Sequence, residues 1–354
     1  MFSSYIHNKL KRCGDLELKI CLIGKGNVGT SFLKLLIERR NTIKEIYNCD
    51  CKLVAIFEHD GALINKDGIE INEILANSIN LRKNIFWKKD IKAKDLISKL
   101  DINICIETTP TNLHTGEPAL THIIESLNNN IDVISSNKAP FFLQFKKIKN
   151  LAEKMKCFIK YEATVASCVP ALSIKKNLIG NKITRIEAIL NGTNNYILDR
   201  MATEGISFAV ALKEAQELGY AESDPSLDVG GFDTAGKLVI LANEILDWYK
   251  TIEDVKIEGI TKITPQALEL AKLDGYIIKH LAIAEENSLI VEPRLVKKDS
   301  LLNITGALNL IKLQTKHAGS IILIGKGAGG FEAASAILND FISIVKERSK
   351  ESHN

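Results

Sequence analysis

Hydrophobic positions change their period several times along this chain, and the changes mark its elements. Leu18 to Ile23 is an apolar run of strand length, and Phe32, Leu33, Leu36 and Ile37 then recur at helical spacing. Lys52 to Phe57 predicts a second strand, Ile102 to Ile106 a third and Ile131 to Ser135 a fourth, with helical patterns between them. Short apolar runs of this kind suit strands buried on both faces of a parallel sheet. The first part of the chain therefore predicts a doubly wound α/β fold.

After about residue 150 the pattern predicts strands at Cys157 to Tyr161, Ile183 to Leu190, Ser288 to Glu292 and Ser320 to Gly325. Helices are expected near 170–179, 207–218, 233–246 and 265–274, and a last one from Glu332 to Val345. Thr264 before Pro265 is a cap and first-turn signal, and Gly219 and Gly275 suit helix ends. These elements predict a second α/β domain with its own sheet, residues 151–322. Residues 1–150 form the first domain, completed by 323–354; the final SKESHN is expected to fray.

Composition narrows the classes. A chain of 354 residues with 45% hydrophobic content can bury a full core. Its 46 basic and 43 acidic residues nearly balance and are scattered, which argues against a nucleic-acid partner or a membrane surface. No apolar run precedes the first strand and none reaches membrane-span length, so a cytoplasmic protein is expected. Seven cysteines without a C-x-x-C spacing predict reduced thiols rather than disulfides or a metal site.

Two stretches carry chemistry. Gly24-Lys25-Gly26-Asn27-Val28-Gly29 stands between a strand and a helix, where a G-x-G-x-x-G lets the backbone approach a pyrophosphate held at the helix N-terminus. This makes the first domain a candidate Rossmann-type nucleotide-binding domain. Glu58, ending the second strand, is placed to accept from ribose hydroxyls and would favour NAD. Arg39 and Arg40 could answer a 2′-phosphate instead, so NAD versus NADP stays open. The second stretch, Leu212 to Lys237, gathers six carboxylates, breaks at Gly230-Gly231 and enters a helix in which Asp233 and Lys237 share one face. Apolar neighbours would lower the lysine's pKa and Asp233 would raise it, which suits a group that moves protons.

The runs GKGNVG at 24–29, ETTPTNLHTGEPAL at 107–120, SSNKAP at 135–140, YEATVASCVP at 161–170, LNGTNNYIL at 190–198, LGYAESDPSLDVGGFDTAGK at 218–237 and GKGAGG at 325–330 stand in the order and spacing of one family. The chain resembles homoserine dehydrogenases from about Lys19 to Ile344. The resemblance implies NAD(P)-dependent interconversion of L-homoserine and L-aspartate 4-semialdehyde, on the way to threonine, methionine and isoleucine, by a homodimer built through the second sheet. An appended ACT-type regulatory domain is not expected. Carried over residue by residue, Lys237 and Lys138 are the catalytic lysines and Asp233 orders the site, with Glu222, Asp228 and Thr193 as substrate contacts. Gly24, Gly26, Asn27, Val28, Gly29, Glu58, Thr109, Lys138 and Gly329 fall at cofactor positions. Glu162, Val165, Ser167 and Val169 fall at positions that bind a monovalent cation, sodium, mostly through main-chain carbonyls.

Three departures from the family pattern stand out. Cys168 replaces a usual glycine, Phe331-Glu332-Ala333 replaces Leu-Pro-Thr, and Ser135-Ser136 replaces Thr-Ala. A same-fold dehydrogenase of a different amino alcohol, or an inactive nucleotide-binding regulator, are the alternatives.

Overall fold

The computed structural model describes residues 16–76 and 81–351, so residues 1–15 and the last three residues of SKESHN lie outside it. The chain packs as two compact units. The first comprises residues 1–137, 146–163 and 333–354, and the second 138–145 and 164–332.

The first unit is built on a seven-stranded sheet. Its strands are β1 (Leu16–Ile23), β2 (Cys49–Glu58), β3 (Gly61–Ile64), β4 (Trp87–Lys89), β5 (Ile104–Glu107), β6 (Asp132–Ser135) and β7 (Ile159–Lys160). The order is β4-β3-β2-β1-β5-β6-β7, in which β1 pairs in parallel with both β2 and β5 and the chain reverses direction between β2 and β5. Such a reversal opens a crevice at the carboxyl ends of the strands, where ligands of open α/β sheets bind. Phe32, Leu33 and Leu36 from helix Asn27–Tyr47 pack in one core with Ile337, Phe341 and Ile344 from helix Gly330–Glu351. The apolar positions read from sequence as one helix face are thus the buried ones, apart from the half-buried Ile37.

The last helix is also held by charge. Arg348 donates to both oxygens of Asp132, at 2.8 and 2.5 Å, and the Phe158 amide donates to Asp132 Oδ1 at 2.8 Å. Asp132 is buried, so losing the guanidinium would strand its charge. Arg348→Ala is expected to cost about 1.5–3 kcal/mol, the range for hydrogen bonds to a charged group, read as a lower urea midpoint at unchanged slope. A loss under about 0.5 kcal/mol, the range of ordinary surface changes, would contradict the clasp.

The second unit holds a six-stranded sheet. It comprises β8 (Ile183–Ile189), β9 (Val255–Ile257), β10 (Tyr276–Glu285), β11 (Ser288–Lys297), β12 (Leu308–Thr315) and β13 (Ser320–Lys326), in the order β13-β12-β8-β10-β11-β9. Strands β10 and β12 were not legible in the sequence. Buried Lys279 and His280 interrupt the apolar run of β10, whose middle is covered on both faces, so no alternation marks it. The expected helix near 170–179 is a short 3₁₀ segment, Ser173–Leu178, and the expected strand at Cys157 to Tyr161 shrinks to the two residues of β7.

Residues 138–145 pack with the second unit, whereas the sequence reading grouped them with the first. The ring of Phe142 occupies the space where a Cβ on Gly236 would lie, 2.8 Å away, which ties helix Ala139–Leu143 to helix Phe232–Ile245. In the other direction, β7 pairs with β6 and carries residues around 160 into the first sheet. The six described cysteines are free thiols, and among the described residues no helix is long and apolar enough to cross a membrane.

Candidate active site

In the first unit, the glycine turn follows β1. A Cβ on Gly29 would meet the Gly24 carbonyl at 2.3 Å, so the turn closes this tightly only with glycine there. Nothing lies within 4 Å of the corresponding position at Gly26, and no side chain caps the helix that begins at Asn27. Its first amides are therefore left for an external acceptor. Glu58 Oε1 accepts from the Lys25 amide at 2.6 Å; its second oxygen makes no hydrogen bond among the described residues. Opposite the glycines, Glu107 is fully buried and holds the next loop: its carboxylate accepts from the Thr109 amide at 2.7 Å and from His122 Nδ1 at 2.6 Å. Asn137 Nδ2 donates to the Thr109 and Pro110 carbonyls, each at 3.1 Å.

In the second unit, Asp233 is the centre of a charged cluster. Helix Phe232–Ile245 is buried along most of its length, and Asp233 and Lys237 face the same way one turn apart. Asp233 Oδ2 lies 2.7 Å from Lys237 Nζ, and its Oδ1 accepts from Lys138 Nζ at 2.6 Å. Asn191 Nδ2 adds bonds to Asp233 Oδ2 at 3.0 Å and to Asp228 Oδ1 at 2.7 Å. The expected i,i+4 pair is present, and Lys138, 95 residues away in sequence, completes a lysine–aspartate–lysine clamp.

Electrostatics separates the two lysines. Burial lowers the Lys237 pKa, Asp233 opposes this and Lys138 adds to it, and the net shift is downward. For Lys138 burial also works downward, but Asp233, Asp228 and Glu222 outweigh it and the net shift is upward. Burial alone would raise Asp233; the two ammonium groups hold it far below the usual carboxylate range. Burial and the neighbouring Asp233 push the Asp228 carboxyl above its ordinary value.

A layer of amides and one imidazole supports these groups, and sequence reasoning did not single it out, although the run NGTNN contains most of it. Asn191 caps helix Gly192–Glu204 by accepting from the Asn194 amide at 2.9 Å. Asn194 Nδ2 donates to the Asp228 carbonyl at 2.7 Å and lies 3.0 Å from Nδ1 of His280. Burial pushes the His280 pKa down to about 4, so its ring is neutral near pH 7, with Nε2 donating to the Glu258 carbonyl at 3.0 Å.

Other candidates fall as follows. Glu222 is exposed, while Thr193 is buried and donates to the Tyr220 carbonyl at 2.6 Å. Gly329, with φ +130°, lies under the Glu332 carboxylate, which pairs with Lys326 at 3.5 Å; this is the departure Phe331-Glu332-Ala333. Cys168 is exposed, its thiol 3.4 Å from the Lys326 carbonyl. The cation candidates divide, Glu162 in the first unit and Val165, Ser167 and Val169 in the second. Val169's carbonyl accepts from the Ala171 amide at 2.7 Å, and Ser167 Oγ donates to the Gly327 carbonyl at 3.1 Å. Among the described residues no three His, Cys, Asp or Glu side chains gather as a metal cluster.

A glycine turn opening on an uncapped helix end, and a buried lysine clamped by a carboxylate, are parts that an NAD(P)-dependent oxidoreductase can use, the first to hold the dinucleotide and the second to move a proton. Comparison with known proteins gives the same class. A family model described as homoserine dehydrogenase matches residues 170–342. A homoserine dehydrogenase of Methanocaldococcus jannaschii is 42% identical over 337 residues, 94% of this chain and 100% of the relative. An NAD(+)-dependent homoserine dehydrogenase of Pseudomonas canavaninivorans is 33% identical over 346 residues, 95% and 98% of the two chains. The crystal structure of a homoserine dehydrogenase from Thiobacillus denitrificans superposes with a TM-score of 0.83 at 29% identity, covering 96% of this chain and 76% of that one. The chain belongs to the homoserine dehydrogenase family.

Proposed function

We propose that this protein interconverts L-homoserine and L-aspartate 4-semialdehyde with NAD(P), a step toward threonine, methionine and isoleucine, and that Lys237 moves the proton. The observation that carries this reading is the clamp itself, in which buried Lys237 and Lys138 share the Asp233 carboxylate at 2.7 and 2.6 Å. A lysine pulled below its ordinary pKa has an accessible neutral form, and one pushed above it stays charged.

The bound dinucleotide supplies the hydride acceptor. The open backbone at Gly24, Gly26, Asn27, Val28 and Gly29 fits its pyrophosphate, with Thr109 and Gly329 as further backbone contacts. As the carbinol carbon gives up its hydride, neutral Lys237 takes the hydroxyl proton, leaving an aldehyde and a lysine ammonium; the reverse reaction returns that proton to the oxygen. Lys138 stays protonated and steadies the negative charge growing on that oxygen. Glu222 and Asp228 take the substrate's ammonium. Thr193, whose hydroxyl hydrogen is already given to Tyr220, offers that ammonium a lone pair.

A coupled assay following NAD(P)H with L-homoserine and each dinucleotide in turn tests the reading. It fails if dinucleotide binds without turnover, or if another amino alcohol is preferred in a substrate panel. Glu58 is read as the ribose contact, since one oxygen remains for hydroxyls. Glu58→Ala is expected to lower kcat/KM for NAD about tenfold while changing that for NADP less. An unaltered NAD/NADP ratio would dismiss the role.

Glu162, Val165, Ser167 and Val169 are carried as oxygen donors for a monovalent cation such as sodium. Carbonyls and a carboxylate suit a hard ion, although Val169's carbonyl already accepts from the Ala171 amide. Activity indifferent to sodium and potassium would remove this assignment. We further read the second sheet as a homodimer face, because Ile324 lies exposed on the edge strand β13. Sedimentation at micromolar concentration is expected to give a dimer, and Ile324→Lys a monomer; a monomeric parent chain would contradict this.

A further inference from the structure

Strand β12 carries an amide where its neighbours are apolar. Asn309 shares its strand face with Ile311 and Leu313, which are fully buried, and is itself 1% exposed. Its Nδ2 donates to the Leu190 carbonyl at 3.0 Å, and the same carbonyl accepts from Lys237 Nζ at 2.7 Å. Its Oδ1 is buried with no hydrogen-bond partner. A buried polar atom left unpaired is costly, so packing alone does not account for an amide here; the donor end is what the position uses. The backbone makes room for it: a Cβ on Gly327 would lie 2.0 Å from the Asn309 amide.

The geometry matters for a proton carrier. An amine nitrogen has four tetrahedral directions, one of them taken by its own carbon. At Lys237 two of the remaining three point at Asp233 Oδ2 and at the Leu190 carbonyl. A neutral lysine that gives both of its hydrogens to those acceptors has its lone pair fixed in the last direction. We propose that Asn309 is a positioning residue for the reaction: its amide pins the Leu190 carbonyl, and the pinned carbonyl, with Asp233, aims the Lys237 lone pair at the substrate hydroxyl.

The titratable groups facing Lys237 are Asp233 on its own helix, Asp228 on the short helix Ser226–Val229 and Lys138 at the start of helix Ala139–Leu143. Strands β8 and β12 bring only the Leu190 carbonyl that follows β8 and the Asn309 amide. A charge introduced at 309 is therefore a new one in that neighbourhood. The inference rests on the reading of Lys237 as proton carrier, and the experiment separates the two.

Asn309→Ala, the isosteric Asn309→Asp and Gly327→Ala are compared with Lys237→Ala in the full-length protein. Asn309→Ala is expected to lower kcat about tenfold or more, with KM for homoserine and dinucleotide within about twofold, because it removes orientation used in the chemical step and not binding. Gly327→Ala, by displacing the amide, should cost a similar factor and add almost nothing in the Asn309→Ala background. Asn309→Asp places an anion beside the ammonium and should move the acid limb of kcat for homoserine oxidation to higher pH. Unchanged kcat, additive 309 and 327 effects, or an unmoved limb in Asn309→Asp would overturn the proposal. If Lys237→Ala itself keeps turnover, the proton-carrier reading falls first. If Lys237→Ala is inactive while the Asn309 variants keep wild-type kcat, only the positioning role falls.

Discussion

Lys237→Ala is expected to lower kcat for homoserine oxidation by roughly 10²–10⁴-fold, the usual worth of a positioned acid–base group, while dinucleotide affinity stays within about twofold. The amine is buried on helix Phe232–Ile245 and bonded to Asp233 and to the Leu190 carbonyl, so the group that would take the proton is held in place. Lys237→Met keeps the length of the side chain and separates packing from chemistry: a folded Met variant with the same loss assigns the effect to the amine. Direction matters too. Burial lowers the lysine's pKa, and oxidation needs the neutral amine, so kcat for oxidation should fall as pH drops below that value. Reduction of the aldehyde needs the ammonium and should fall as pH rises through it. Near-wild-type turnover in either variant would rule the role out.

The second large effect is expected at Asp233. Its carboxylate faces two ammonium groups and an amide, and Asp233→Ala leaves both lysines without their shared counter-charge in a buried setting. Removing one member of a buried charge cluster costs about 3–5 kcal/mol. The variant should therefore unfold at lower urea as well as lose kcat by about 10²-fold or more. The wild-type contribution also has a pH signature. The folded carboxylate sits far below its unfolded value, so the stabilisation is complete above the unfolded pKa of about 3.9 and is lost only as acid approaches the folded value. Stability lowered by less than about 1 kcal/mol, the median for an exposed ion pair, would mean that the cluster is not a clamp.

How far the sequence reached differs between the two units. The glycine turn and Glu58 were legible because tight turns and strand-end acids leave local signatures, and the structure gives them the expected strand–turn–helix setting. Asp233 and Lys237 were legible for the same reason, since four residues on a helix is one turn. Lys138 on the other oxygen of Asp233 was not a matter of spacing; only the run SSNKAP pointed to it, and the contact depends on how helix Ala139–Leu143 packs against Gly236. The amides Asn191, Asn194 and Asn309 escaped notice because an asparagine in a sequence reads as a turn or cap residue. What makes them different is burial beside a charge, and burial across distant strands leaves no periodic trace. Strand β10 was hidden in the same way, by polar residues placed inside rather than out.

The pH dependence of kcat for L-homoserine oxidation, measured side by side in the wild type and in Lys237→Ala, tests the central claim most directly. Proton transfer through a buried, Asp233-clamped amine predicts a wild-type acid limb with an apparent pKa below the ordinary lysine value, about 10.4, and its disappearance from the residual activity of the variant. The same limb persisting in Lys237→Ala would contradict it.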